Sequence, residues 1–102
     1  MKEYELYVPL NYNDGAPIES EKLVKVRDRL LEQFGHLTYL PAENIGYWSV
    51  GTVTFRDRIV LYRIVCQDAR RARRFFRQFK DELKNELKQE EIFIVEKDAT
   101  VL

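Results

Sequence analysis

The chain of 102 residues is long enough to bury one hydrophobic core and too short for two, so one domain spanning residues 1–102 is expected. Its 17 basic and 17 acidic residues cancel to zero formal charge, which excludes a whole-molecule field drawing it to nucleic acid or acidic lipid. The lone cysteine, Cys66, excludes an intrachain disulfide and a cysteine-based metal cluster; with no long apolar run, a membrane is not an expected partner and the cytoplasm is the expected location.

In chain order, Tyr4, Leu6, Val8 and Leu10 alternate with Glu3, Glu5, Tyr7 and Pro9. That period of two predicts a first strand whose Tyr4 face meets the helices. Residues 11–17, dense in Asn, Asp, Gly and Pro, end it in a turn. Ser20 is the expected N-cap of a first helix running to about Phe34, with Gly35 as its left-handed stop and Leu23, Val26, Leu30 and Phe34 as its buried stripe. Residues 36–41 and 46–50 read as two pieces of a second strand, interrupted at Ala42-Glu43-Asn44-Ile45 by a bulge or kink. Gly51 marks the turn into a third strand over residues 53–66. There Ile59, Leu61 and Val65 alternate with Val60, Tyr62, Ile64 and Cys66, so the strand is expected at the sheet centre, covered on both sides.

Asp68 fits as the cap of a second helix of about five turns. Its stripe is Ala72, Phe76, Phe79, Leu83 and Leu87, widened by Phe75. A last strand takes Ile92 to about Glu96, leaving residues 97–102 to pair elsewhere or fray. Strand, helix, strand, strand, helix, strand is the order of an α+β ferredoxin-like βαββαβ plait, a four-stranded antiparallel sheet with two helices on one face.

Several short runs occur together: Pro9-Leu10-Asn11, Asn13-Asp14-Gly15 and Pro17-Ile18 at the start, Phe34-Gly35 with Leu37-Thr38, Gly46-Tyr47-Trp48, and Gln89-Glu90-Glu91-Ile92 near the close. As a set, over nearly the whole chain, they resemble a group of short uncharacterised bacterial ferredoxin-like proteins. The resemblance implies a small bacterial protein of that fold and brings no established activity or functional residue with it. The chain departs from the group's pattern at His36, where a second glycine is common.

The chemical inventory is thin. Asn11, Asn13, Asp14 and Gly15 look superficially like a calcium loop, but the glycine falls one place early and no distal glutamate is in register, so a polar turn and no metal are expected. A regular hairpin centred on Gly51 would set His36 opposite Cys66, the pairing of an imidazole-activated thiolate. The interruption after Pro41 breaks that register, and a lone strand cysteine is ordinarily a small buried hydrophobe. No catalytic residue and no cofactor are assigned.

Trp48 beside Gly46 and Tyr47, together with Tyr7 and Tyr62, forms the candidate pocket or interface, since glycine allows close approach and the indole offers a flat apolar wall with one donor. Tyr7 and Tyr62 also fit the base-stacking positions of an RNA-recognition sheet. Residues 58–63 lack the glycine and paired aromatics of that motif, so nucleic acid is not an expected partner.

The second helix carries Arg70, Arg71, Arg73, Arg74, Arg77 and Lys80 first, then Asp81, Glu82 and Glu86, with Glu90 and Glu91 beyond. This polarity opposes the helix dipole, at about 0.3–1 kcal/mol for each exposed terminal charge. Projection sets Arg70, Arg74, Arg77, Lys84 and Lys88 opposite the apolar stripe, as expected of a solvated face. Arg70, Arg74 and Arg77 are also the candidate contacts for an anion or for the acidic half of the same helix in a second copy. The expected function is a homo-oligomeric binding or regulatory module, assembled through the open sheet face, whose small-molecule ligand the sequence does not specify. The alternatives are a small enzyme of the dimeric α+β barrel kind and nucleic-acid binding through the basic half of the second helix.

Overall fold

The computed structural model describes the backbone of residues 1–102 and every side chain except those of Ala42, Glu43, Asn44 and Val50. The elements follow in the expected order: β1 (Lys2–Pro9), α1 (Ser20–Phe34), β2 (Thr38–Val50), β3 (Val53–Cys66), α2 (Ala69–Glu86) and β4 (Ile94–Asp98). The strands form one sheet in the order β2-β3-β1-β4, with each neighbouring pair antiparallel. The protein is an α+β ferredoxin-like plait, with β3 and β1 central and β2 and β4 at the edges.

Register decides which face the helices cover. Tyr4, Leu6 and Val8 stand opposite Ile64, Tyr62 and Val60, and all six are buried. Onto them α1 sets Val26 and Leu30, and α2 sets Ala72, Phe76, Phe79 and Leu83, in one continuous cluster. The ring of Phe76 stacks on Tyr4 at 4.7 Å and on Phe34 at 5.4 Å. Burying each such side chain contributes about 1.5–3 kcal/mol, so this layer dominates the cohesion of the fold.

The helix ends show which local signals held. Gly35 has φ 77° and its N–H donates to the Leu31 carbonyl at 2.8 Å, a left-handed stop that a side chain would strain. Asp68 caps α2 through Oδ1, which accepts the Arg71 N–H at 3.0 Å. The N-terminus of α1 corrects the expected cap: Ser20 is already helical, and Glu19 holds the cap position without a side-chain cap bond. The Glu19 carboxylate instead takes the Tyr12 hydroxyl hydrogen bond and sits 3.6 Å from Lys22 Nζ.

Two strand starts differ from expectation. The second strand is continuous from Thr38 to Val50, and His36 and Leu37 precede it. Its register still shifts where the interruption was expected: between Leu40 and Asn44, four steps on β2 match the two from Leu61 to Ile59 on β3. The interrupting side chains Ala42, Glu43 and Asn44 lie outside the described residues, whereas Ile45 is exposed. The turn is the pair Gly51-Thr52, with φ 61° at Gly51 alone, the pattern of a type II′ hairpin.

The last strand starts at Ile94 rather than Ile92. Ile92 is a buried core anchor ahead of the sheet, and the chain first meets β1 where the Phe93 carbonyl accepts the Tyr7 N–H at 3.0 Å. Beyond β4, the Ala99 N–H donates to the Met1 carbonyl at 3.1 Å, so the end segment begins tied to the sheet.

Candidate functional site

Strand parity places the odd-numbered residues of β1 and β3 on the face away from the helices. At one end of that face Glu3 and Glu5 meet Arg63 and Lys97. Lys97 Nζ lies 2.7 Å from Glu5 and 3.1 Å from Glu3, and Arg63 lies 3.6 Å from each. Glu5 is only 7% exposed, yet the Lys97 hydrogen bond holds its carboxyl below the usual range against the opposing pull of burial. These charges are compensated within the chain.

The other end is aromatic. The β2–β3 hairpin continues past the end of β1, and Trp48 on it stacks on Phe55 at 4.4 Å with 17° between planes. The Trp48 indole N–H donates to Asp57 Oδ2 at 2.6 Å, fixing the ring against the sheet. Tyr7 of β1 meets Phe93 edge to face at 6.3 Å. Between them lies a cleft of about 110 Å³, lined by Tyr7, Pro9, Gly46, Tyr47, Trp48, Asp57, Ile59, Gln89, Glu91, Ile92 and Phe93. A Cβ on Gly46 would meet only Ile59 Cδ1, at 3.9 Å, so close backbone approach does not require glycine there.

The structure brings Tyr7 and Trp48 to this cleft and separates Tyr62 from it. Tyr62 is 6% exposed beneath the helices and stacks on Tyr39 at 5.1 Å, on the face opposite Tyr7. It does not share a base-stacking surface with Tyr7. Asp57 and Phe93 join the cleft without having been singled out in the sequence. Their signal was parity: Asp57 stands opposite Gly46, the neighbour but one of Trp48, once the hairpin turns on two residues.

His36 and Cys66 line one shallow hollow beside Asp68 and Arg71. His36 Nε2 stands 2.8 Å from the Val65 carbonyl oxygen and Nδ1 3.1 Å from that of Phe34, so both ring nitrogens face backbone. Burial pushes the Cys66 thiol up, away from the thiolate form a nucleophile needs.

Along α2, Arg70, Arg74 and Arg77 are exposed and have no ion-pair partner among the described residues. Their neighbours are compensated: Arg73 makes paired hydrogen bonds to Glu96 at 2.9 and 2.6 Å, and Lys80 lies 2.8 Å from Glu91. Glu96 also accepts the Tyr4 hydroxyl at 3.0 Å. Arg73 above all holds the Glu96 carboxyl at about 2, while burial and Glu96 push the Tyr4 phenol up to about 12. Arg77 faces this cluster across a groove of about 280 Å³ between α2 and β4. At the far end, Lys22 Nζ donates to the Glu86 carbonyl at 3.0 Å, supplying from α1 the cation that the end of α2 favours.

Among the described residues, no three His, Cys, Asp or Glu are grouped to hold a metal ion. No described helix is long and apolar enough to cross a membrane. No family model and no curated protein matches the chain. Among solved structures it is similar to a phage SAM lyase in complex with S-methyl-5′-thioadenosine, at TM-score 0.74 and 14% identity over 95% of this chain and 80% of that one. It is also similar to CutA1 from Pyrococcus horikoshii OT3, at TM-score 0.62 and 14% identity over 100% of this chain and 86% of that one. A CutA from the same organism in 3M guanidine hydrochloride matches at TM-score 0.61 and 13% identity, over 100% and 87%. At this identity the likeness is one of fold, and it supports the ferredoxin-like architecture read from the strand order.

Proposed function

We propose that the protein is a self-assembling binding module in which a second copy covers the open sheet face and the Tyr7–Trp48 cleft receives a small organic molecule at the subunit boundary. The observation that carries this is the apolar half of that face. Ile59 and Leu61 occupy its centre, Trp48 and Phe55 its hairpin end, and Phe93, 67% exposed, its margin. Large contiguous apolar patches are uncommon on monomers and mark contact surfaces. The charges on the same face are paired within the protomer, which lowers the cost of covering them. On the hairpin arm beyond the end of β1, Val53 is exposed on the same face, and Ile45 and Tyr47 are exposed on the other.

Light scattering at micromolar concentration tests the assembly. The expected result is at least twice the chain mass at moderate salt. A strict monomer with the sheet face solvated contradicts the proposal.

A further inference from the structure

We propose that the cleft selects a methylated organic cation, a quaternary ammonium or sulfonium head group; this rests on reading the cleft as a ligand site. Four aromatic residues line it: Tyr7, Tyr47, Trp48 and Phe93. Aromatic faces attract cations, most strongly those whose hydration is weak enough to shed. The rings are held in place, Trp48 by its stack on Phe55 and its bond to Asp57, Tyr7 and Phe93 by each other.

The charge in the cleft has one sign. Its lining contains two carboxylates and no lysine or arginine. Glu91 is neutralised by Lys80 at 2.8 Å, and its Oε1 also accepts the Ile92 N–H at 2.9 Å. Asp57 has no ion-pair partner among the described residues; Oδ2 accepts the indole N–H, and Oδ1 has no hydrogen bond there. A half-buried carboxylate with no ion-pair partner among the described residues, in a lining with four aromatic residues and no lysine or arginine, is the complement of an onium group.

Competing ligands fit less well. An anion would meet Asp57 with nothing to offset it. A hard metal ion takes six or more oxygens, and the cleft offers too few carboxylates. A neutral molecule would leave the Asp57 charge unused. With about 110 Å³ the cleft holds a head group only, since whole drug-sized ligands occupy roughly 300–1,000 Å³, so the rest of the molecule lies outside it.

Trp48 is the single tryptophan of the chain, so tryptophan emission reports this end of the open face. The test titrates the full-length protein with tetramethylammonium chloride, trimethylsulfonium chloride and the neutral isostere tert-butanol, with sodium chloride holding ionic strength constant. Saturable change with either onium ion and none with the alcohol over the same range supports the proposal; the tighter onium names the head group. Asp57→Asn, which retains an acceptor for the indole N–H, is expected to weaken onium binding about tenfold. Tyr7→Leu, which leaves Asp57 and Trp48 in place, should weaken it as well.

Equal response to the alcohol, no response to either onium, or unchanged affinity in a folded Asp57→Asn protein overturns the proposal. Mass measured on the same samples separates this from the assembly. Onium saturation of a monomer removes the assembly and keeps the cation site; an oligomer with silent tryptophan does the reverse.

Discussion

Glu96 is a carboxylate whose ionisation is linked to folding. Arg73, Tyr4 and Lys2 all turn toward its carboxylate, the last at 3.8 Å. Its folded pKa of about 2 lies below the ordinary 4.5, so the unfolded chain takes up the proton first. The stabilisation is therefore complete above about pH 4.5 and is lost as pH falls from there toward 2. A melting series is expected to show wild type losing more of its midpoint across that window than Glu96→Gln does. At the core, Phe79 is 2% exposed beneath α2. Phe79→Ala should cost about 3–5 kcal/mol in denaturant unfolding, a large share of a small domain's stability. An unchanged midpoint would mean that this face of α2 does not carry the core.

Residue-scale function was less legible than residue-scale burial. Tyr4, Leu6 and Val8 announced their face by alternation, and so did Phe76, Phe79 and Leu83 by helical spacing. Tyr7 and Tyr62 could not be sorted together in that way, because their relation depends on pairing β1 with β3. The register sets Tyr7 opposite Leu61 and Leu6 opposite Tyr62, and that one-residue offset sends the two tyrosines to opposite faces.

Among the elements, α2 carries the reversed charge polarity, and much of it is compensated from outside the helix. Asp68 caps the start, Glu96 neutralises Arg73, and Lys22 reaches the closing carbonyls. Arg70, Arg74 and Arg77 remain toward solvent. Replacing all three with glutamine is expected to leave the oligomeric mass unchanged. Removing Arg70 from the first turn should raise stability by about 0.3–1 kcal/mol, read from the denaturant midpoint. A loss of mass on the same variant would reassign these arginines to subunit docking. The element boundaries that the sequence missed have local causes: Glu19 is held by Tyr12, Ile92 is an anchor rather than a strand residue, and β2 gains residues on β3 through its register shift. None of these is a property of hydrophobic period, which is why the order of elements was legible and these ends were not.

At the scale of the molecule, the plait has one face sealed by helices and one divided between a compensated charge cluster and an aromatic cleft. Leu61 sits near the centre of the open face on β3, opposite Tyr7 on one side and Leu40 on the other, and takes no part in the core beneath the helices. An arginine there places an uncompensated charge in the proposed contact while leaving the protomer's packing intact, and burying such a charge costs several kcal/mol. Sedimentation of Leu61→Arg beside wild type, with circular dichroism on both, is the most direct test of the assembly. A folded variant that sediments as a single chain while wild type sediments as an oligomer is the predicted result; a folded variant with the wild-type mass would contradict it.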